Sequence, residues 1–301
     1  MIRIGVDFGG TKLEAAALDR SGKFVARVRR PNPGNYEAAL ESLRALVGET
    51  EQQAGSAVDR IGVGIPGSIS PVGKGVRGAN STWLNRKPFD HDLERVLERP
   101  VRVENDANCF ALSEAVDGAG AGAKTVFGVI IGTGCGGGVA VDHTVVRGVN
   151  GVAGEWGHIP LPWLEPDEYR SRKCWCGRFD CMETYVSGPA FFADYIAQGG
   201  AAASGAEVIA RVASGERVAI EALNRYIWRL GRGLAVICDV LDPDVIVLGG
   251  GMSNVEALYG DELRAAIAGP LFSDTFTTPI RPPVHGDSSG VRGAAWLWPW
   301  D

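Results

Sequence analysis

Residues 2–18 read IRIGVDFGGTKLEAAAL, and this stretch decides the fold. Its apolar residues predict two strands, over 2–7 and 13–18, joined by a tight glycine turn. Residues 23–29 predict a third strand. These strands predict an antiparallel meander.

The same order of strand, glycine turn and strand recurs at residues 125–142, TVFGVIIGTGCGGGVAVD. This repetition predicts a duplicated α/β architecture with a cleft between two domains. We expect one domain over 1–117 together with a C-terminal helix at about 289–301, and the other over 118–288. Periodicity and breaker residues predict the remaining main elements: helices at 36–54, from 105–106 onward and at 218–241, and strands at 61–65, 101–104 and 245–248.

Composition excludes several classes of protein. Of 301 residues, 45% are hydrophobic and 22% charged, which argues against disorder and fibrous repeats. The 30 basic and 36 acidic residues give a net charge of −6, which argues against a nucleic-acid or anionic-lipid surface. No apolar stretch approaches the roughly 20 residues that span a bilayer, and the N-terminus lacks a secretory signal pattern. We expect a cytoplasmic protein with neither nucleic acid nor membrane as a partner.

Three glycine turns each follow an apolar strand: residues 9–11 (GGT), 132–134 (GTG) and 249–251 (GGG). Glycine lets backbone N–H groups approach an anion, and a threonine hydroxyl adds a donor. A tight turn with positive φ explains any single one, but three together predict binding of nucleotide phosphates. Asp7 would hold Mg²⁺ through water, or is a solvated strand-end carboxylate. Lys12 would touch a phosphate, or faces solvent.

Residues 132–137, GTGCGG, also match the G-x-G-x-x-G pattern of dinucleotide-binding proteins. That fingerprint requires a helix next, whose N-terminus faces the pyrophosphate. Residues 138–142 instead predict a strand. A nicotinamide-dependent enzyme is therefore disfavoured.

Asn105 and Asp106 lie where a predicted strand ends and a predicted helix begins. Both residue types are favoured helix caps. The position equally suits Asp106 as a general base beside an amide that fixes a hydroxyl of a polyol substrate. The local sequence leaves both interpretations open.

His158, Cys174, Cys176 and Cys181 have the ligand types of a closed tetrahedral Zn²⁺ site. The Cys-x-Cys spacing is tighter than in common zinc fingers, although Gly177 would permit a sharp turn. The alternative is a group of reduced structural thiols, and we favour zinc. Because such a site has no open position, the metal would shape its surroundings and take no part in chemistry.

Glu155 and Glu183 flank this set of ligands. They would accept hydrogen bonds from sugar hydroxyls, or they are ordinary surface acids. Six further residues are assigned to packing: Cys109, Cys135, Cys238, Trp228, Trp296 and Trp298.

Together these motifs resemble those of the ROK family of bacterial sugar kinases, and within it the enterobacterial-type fructokinases (mannofructokinases). The matching segments follow the family's order over nearly the whole chain: 7–12 (DFGGTK), 64–67 (GIPG), 79–83 (ANSTW), 104–108 (ENDAN), 132–134 (GTG), 154–158 (GEWGH), 174–183 (CWCGRFDCME) and 285–290 (HGDSSG).

The resemblance implies a two-domain, actin/hexokinase-like (ribonuclease H-like) α/β fold that binds ATP and sugar in the interdomain cleft. It implies that Asp106 is the catalytic base. The implied sugar-binding residues are Gly67, Asn80, Asn105, Asp106, Glu155, His158 and Glu183. The implied nucleotide-binding residues are Asp7, Gly9, Gly10, Thr11, Lys12, Gly132, Thr133, Gly134, Gly136, Gly249, Gly250 and Gly251. The zinc ligands transfer onto His158, Cys174, Cys176 and Cys181, with the second ring nitrogen of His158 directed to the sugar.

Two departures from the family pattern bear on the zinc site. Asp180 occupies the position before the last cysteine, where the family usually has glycine, and this puts the loop geometry in doubt. The interval between His158 and Cys174 is long, and it contains three prolines and Trp163. We expect this interval to act as a lid that contributes to sugar choice.

The expected activity is transfer of the ATP γ-phosphoryl group to the 6-hydroxyl of a hexose, with Mg²⁺ at the phosphates and structural Zn²⁺. D-fructose is the first candidate, and mannose, glucose or an N-acetylhexosamine are the alternatives.

A sugar-sensing repressor of the same family is a rival, but a strand beginning at residue 2 leaves no room for an N-terminal helix-turn-helix. An ATPase of the chaperone or filament type would need neither the sugar carboxylates nor zinc. The family also suggests a homodimer.

Overall fold

The computed structural model of the chain describes residues 1–73, 75–78 and 81–299. Its strands in these residues are β1 (Arg3–Phe8), β2 (Lys12–Leu18), β3 (Phe24–Pro31), β4 (Ile61–Ile65), β5 (Ser68–Ile69), β6 (Val76–Arg77), β7 (Val101–Asn105), β8 (Thr125–Ile131), β9 (Cys135–Val141), β10 (Thr144–Val145), β11 (Val245–Gly249) and β12 (Ile280–Arg281). Its α-helices are α1 (Tyr36–Ala54), α2 (Phe89–Leu97), α3 (Asp106–Asp117), α4 (Glu183–Val186), α5 (Gly188–Ala197), α6 (Gly205–Ala213), α7 (Arg217–Leu241), α8 (Asp261–Ala268) and α9 (Ser289–Trp296).

The first sheet has the strand order β3-β2-β1-β4-β7. Strands β1, β2 and β3 pair antiparallel, which confirms the predicted meander, and β4 and β7 continue the sheet in parallel with β1. The register places Asp7 opposite Gly64, and Gly64 opposite Glu104. The carboxyl ends of three parallel strands therefore meet at one edge of this sheet.

The second sheet has the strand order β10-β9-β8-β11-β12. Here too two neighbouring strands, β8 and β9, are joined by a short glycine turn. The element after this turn is a strand, so the chain lacks the strand–turn–helix order of a dinucleotide site at this point, as predicted. A second strand–turn–strand unit of the kind seen at the N-terminus is thus confirmed.

By its internal contacts the chain divides into two compact units. The first comprises Met1–Gly128, Gly138–Gly154 and Val284–Asp301, and the second comprises Val129–Gly137 and Glu155–Pro283. The domain boundaries expected from the sequence stay a prediction.

In the first unit, helix α9 lies directly on β1 and β4. Two strand glycines make this contact possible. A Cβ atom at Gly5 would be 2.1 Å from the carbonyl oxygen of Val291, and one at Gly62 would be 1.7 Å from that of Ala294. The helix backbone therefore approaches the sheet more closely than any side chain at these positions would allow.

In the second unit, the long helix α7 packs against α4, α5, α6 and α8. Its apolar residues recur at helical spacing and bury one face, which explains why the sequence predicted it well. Trp228 on α7 is 42% exposed, so its assignment to packing was wrong.

The other packing assignments hold. Cys109, Cys135 and Cys238 are buried, and so is Trp296. The indole N–H of Trp298 donates to the carbonyl oxygen of Ile61 at 2.9 Å.

No helix in the described ranges combines the length and the apolar character that crossing a bilayer requires.

Candidate active site and metal centre

The junction between β7 and α3 carries the candidate base. Asn105 is the N-cap of α3, and its side-chain oxygen accepts hydrogen bonds from the amides of Ala107 (2.9 Å) and Asn108 (3.4 Å). Its side-chain amide donates to the carbonyl oxygen of Gly67 at 3.0 Å. Asn105 thus fulfils the capping role. Its hydrogen bond to Gly67 also joins two of the predicted sugar-binding residues. Asp106 follows as the first residue of the helix, with an exposed side chain.

Glu104 is a supporting residue to which the sequence analysis assigned no role. Its carboxylate is buried, accepts hydrogen bonds from the Asn105 amide (2.9 Å) and the Asn108 side chain (3.0 Å), and pairs with Arg147. These contacts fix the residues on both sides of Asp106. The only local signal of this supporting role in the sequence is a charged residue near the carboxyl end of an apolar strand.

Asp7 lies on β1 at the same edge of the sheet. Burial, together with the carboxylates of Asp106 and Glu14, raises the pKa of Asp7 to about 6, and Lys12 and Arg29 oppose this rise. A divalent cation bound here would favour the ionised carboxylate and relieve the repulsion between the acids. Oxygen ligands of this kind suit Mg²⁺, so the residues present fit the expected ion.

The first glycine turn is held by one asparagine. The Asn32 side chain donates to the carbonyl oxygen of Gly9 at 2.8 Å, and the Asn32 amide donates to that of Thr11 at 2.9 Å. Gly10 and Thr11 are exposed at the tip. The Nζ atom of Lys12 lies 3.9 Å from the Glu14 carboxylate, so Lys12 has an ion-pair partner within the protein.

The other two glycine turns lie next to each other within the second unit. A Cβ atom at Gly250, where φ is 80°, would be 2.4 Å from the carbonyl oxygen of Ile131, the residue that precedes Gly132. The turn at residues 132–134 is closed by the Gly132 amide, which donates to the carbonyl oxygen of Gly134 at 3.0 Å. Gly136 serves a structural contact as well, because its carbonyl oxygen accepts from the indole of Trp156 at 2.9 Å. The tips at Thr133 and Gly249–Gly251 include exposed residues, which leaves them open to a ligand.

His158, Cys174, Cys176 and Cys181 form one cluster. Their ligand atoms all lie within 4.8 Å of one another; Cys174 Sγ is 3.6 Å from His158 Nδ1, and Cys176 Sγ is 3.6 Å from Cys181 Sγ. A tetrahedral Zn²⁺ with Zn–S of about 2.3 Å and Zn–N of about 2.0 Å puts its ligand atoms about 3.5–3.8 Å apart. The residues present therefore fit zinc.

The turn inside this cluster has the expected form. The Gly177 amide donates to the carbonyl oxygen of Cys174 at 3.0 Å, and Gly177 has φ of 90°. Asp180 also lies in the left-handed region, with φ of 58°. That conformation explains why glycine suits this position, and aspartate tolerates it better than most residues do.

We call residues 159–181 the cysteine loop. The Asp180 carboxylate is buried and organises this loop. It accepts hydrogen bonds from the amides of Arg170 (2.5 Å) and Arg172 (3.0 Å) and from the hydroxyl of Tyr185 (3.1 Å). Asp180 is therefore compatible with the loop geometry. Its backbone adopts the left-handed angle that this position requires, and its carboxylate stabilises the loop.

Glu168 anchors the same loop to α7. Its buried carboxylate accepts from Arg229 Nε and from an Nη of Arg232, both at 2.8 Å, and Arg232 also donates to the carbonyl oxygen of Trp163 at 2.6 Å. Burial would raise the pKa of Glu168, but the hydrogen bonds from Arg229 and Arg232 outweigh it and keep the pKa below its usual value. These contacts anchor the loop to α7 in this structure, and the lid role expected from the sequence stays a prediction.

Glu183, the first residue of α4, lies beside the cluster. Its carboxylate accepts from the Cys135 amide at 3.0 Å and from the Trp175 indole N–H at 2.7 Å. Glu155 is exposed, and its carbonyl oxygen accepts from the His158 amide at 3.2 Å. The second unit thus brings Glu183, His158 and the cysteines together, and the first brings Asp7, Gly67, Asn105 and Asp106 to one edge of its sheet. Asn80 lies outside the described residues.

Comparison with known proteins identifies relatives along the whole chain. The sequence model of the ROK family matches residues 3–300. An N-acetyl-D-glucosamine kinase of Pectobacterium atrosepticum is 38% identical over 298 residues, covering 97% of each chain. Another of the same name, from Pasteurella multocida, is 38% identical over 304 residues, covering 99% of each.

Solved structures agree with these matches. A ROK hexokinase from Thermus thermophilus superposes with a TM-score of 0.86 at 31% identity, covering 99% of this chain and 97% of the other. A ROK family glucokinase from Streptomyces griseus, in complex with glucose and AMPPNP, has a TM-score of 0.77 at 28% identity, covering 99% of each. The hexokinase-like α/β fold is confirmed. The expected likeness to fructokinases is not supported, because these curated relatives are named for N-acetyl-D-glucosamine.

Proposed function

Because the chain belongs to the ROK family, we propose that it is an ATP-dependent hexose kinase whose substrate is N-acetyl-D-glucosamine. The curated relatives named for that activity support this substrate over fructose. This was one of the alternatives that the sequence left open.

The observation that carries the proposed chemistry is the exposed carboxylate of Asp106 at the strand–helix junction. A general base must reach its substrate while its own position is fixed. Asp106 is exposed, and Glu104 and the Asn105 cap hold the backbone around it. The base accepts the proton of the hexose hydroxyl as that oxygen attacks the γ-phosphorus of ATP in line, and ADP leaves.

The nucleotide is held by the glycine turns at residues 9–11, 132–134 and 249–251. Backbone amides at their exposed tips bind phosphate oxygens without steric interference. Asp7 is the residue that holds Mg²⁺ through its carboxylate. When bound, the ion neutralises charge on the phosphates.

The sugar is recognised by paired polar contacts in the second unit. Glu183 accepts hydrogen bonds from hydroxyl groups, and His158 presents its second ring nitrogen once the first is a ligand. Zinc, when bound by His158 and the three cysteines, supplies structural rigidity.

The test is ADP release by the purified protein with Mg-ATP and each of five sugars: N-acetylglucosamine, N-acetylmannosamine, glucose, mannose and fructose. We expect the highest kcat/KM with N-acetylglucosamine and no ADP release without sugar. A higher value with another hexose would overturn the substrate and leave the kinase standing. The absence of sugar-dependent ADP release with all five would overturn the kinase itself.

A further inference from the structure

Trp175 occupies the middle of the Cys-x-Cys motif and has not been given a role. Its side chain is 66% exposed, and its indole N–H donates to Glu183 Oε1 at 2.7 Å. Its ring meets the His158 ring edge-on, with centroids 4.9 Å apart and planes at 84°. One side chain thus contacts a proposed sugar-binding carboxylate and a proposed zinc ligand.

The hydrogen bonds of Glu183 show what this contact does. One carboxylate oxygen accepts from Trp175, and the other accepts from the Cys135 amide at 3.0 Å. A carboxylate offers about four acceptor positions, so each oxygen keeps one position for an incoming hydroxyl. With a donor on each oxygen, the plane of the carboxylate is fixed.

The surroundings of Glu183 leave little freedom for another orientation. A Cβ atom at Gly134 would lie 2.7 Å from Glu183 Oε2. A side chain at position 134 would therefore displace the Glu183 carboxylate from its observed orientation, and glycine leaves room for it. The hydrogen bond from the Trp175 indole holds the other carboxylate oxygen of Glu183, Oε1.

We propose that Trp175 is a positioning residue for sugar recognition: its indole N–H orients Glu183 so that the free acceptor positions of the carboxylate meet hydroxyl groups of the hexose. This inference rests on the proposed hexose kinase activity. A hydrogen bond to an ionised acceptor is among the stronger kinds, and fixing it before the sugar binds lowers the cost of ordering the site.

The exposure of Trp175 makes the inference testable. Because two-thirds of its surface contacts solvent, replacing it removes little packing, and the fold should tolerate Trp175→Phe. Phenylalanine keeps an aromatic ring against His158 and lacks only the donor. Trp228→Phe is the matched control, since Trp228 is 42% exposed and lies on α7, outside the cysteine loop and the proposed binding residues.

The experiment compares the wild type, Trp175→Phe and Trp228→Phe by calorimetric titration with the hexose that the wild type phosphorylates fastest. KM for that sugar, KM for ATP, zinc content and Tm are measured on the same samples. We expect Trp175→Phe to raise Kd and KM for the sugar about tenfold. Its KM for ATP, zinc content and Tm should match those of the wild type, and Trp228→Phe should match the wild type throughout.

Unchanged sugar affinity in Trp175→Phe would overturn the inference while the kinase activity of the wild type stands. Loss of zinc in proportion to the loss of sugar affinity would also overturn it, because the residue would then support the metal centre and not Glu183. A wild type that neither binds nor phosphorylates any of the five sugars would overturn both this inference and the proposed function.

Discussion

The β7–α3 junction and the cysteine loop hold their functional groups by different means. At the junction, a strand ends and a helix begins within two residues, and the cap is made by Asn105 itself. In the cysteine loop, three residues other than glycine have positive φ, and the backbone depends on buried side chains, above all Glu168 and Asp180.

The difference has a physical reason. Regular elements satisfy most of their own backbone hydrogen bonds, so a junction between two of them needs few further supports, which here are the Asn105 cap and the buried Glu104. An irregular loop lacks such a repeating pattern, and here buried carboxylates accept hydrogen bonds from the amides of Glu165, Arg170 and Arg172. Replacing the exposed Asp106 at the junction should therefore alter activity without loss of stability, whereas replacing a buried carboxylate of the cysteine loop should reduce stability.

The largest expected effect is at the junction. Asp106→Asn keeps the shape and the helix start but removes the proton acceptor, so kcat should fall about 10²–10⁴-fold. The Tm should stay close to that of the wild type. Asp261→Asn is the control, because Asp261 is likewise an exposed first helix residue. Steady-state kinetics check this, and near-normal turnover in Asp106→Asn would remove the residue from the role of base.

The second-largest expected effect is a loss of stability when the Glu168 anchor of the cysteine loop is removed. Glu168→Ala leaves Arg232 buried without its carboxylate partner, and breaking such a pair costs about 3–5 kcal/mol of unfolding free energy. Chemical denaturation measures it. Asp167→Ala, at an exposed neighbouring position, should change stability little. Equal stability of the two variants would show that the loop is not anchored through Glu168.

A smaller effect is expected at Asp180. Asp180→Gly keeps the left-handed backbone without strain and removes only the carboxylate, so the lost hydrogen bonds should cost about 1–3 kcal/mol. Asp242→Gly is the control, since Asp242 also has positive φ, at 45°, but is exposed. Denaturation and competition with a zinc chelator are the measurements. A variant as stable as the wild type, with the same zinc affinity, would refute the organising role of the carboxylate.

The smallest expected effect lies in the pH dependence of stability near the junction. The pKa of Asp7 is about 6 in the folded chain against an ordinary 3.8, so the folded state binds more protons between these values. The metal-free protein should therefore lose stability as pH rises through this window, and Asp7→Asn should lose less.

Melting curves in EDTA from about pH 4 to pH 7 measure this difference. Asp59→Asn, at an exposed position, controls for the loss of one charge. A difference between wild type and Asp7→Asn that stays constant across the window would contradict a raised pKa at Asp7.

Much of the fold was predictable from the sequence. The strand–turn–strand units, helix α1, the long helix α7 and the start of α3 at Asp106 agree with the pattern of apolar and breaker residues. The candidate zinc ligands and the absence of a dinucleotide fingerprint followed from residue type and spacing. The packing of Trp228 was predicted wrongly, because its exposure depends on which helices cover α7, and the anchoring of the cysteine loop by Glu168 has no local signature.

What the sequence determined by itself is therefore local: which segments alternate or repeat at helical spacing, where glycine permits a turn, and which side chains have the chemistry of a base or a metal ligand. Only the tertiary structure decided the supports of those groups: Glu104 with Arg147, Glu168 with α7, Asp180 with the amides of its loop, and Trp175 with Glu183. Backbone dihedral preferences act over a few residues, and periodicity reports which face is buried. The partner of a buried charge is chosen by the packing of distant segments, which neither signal contains.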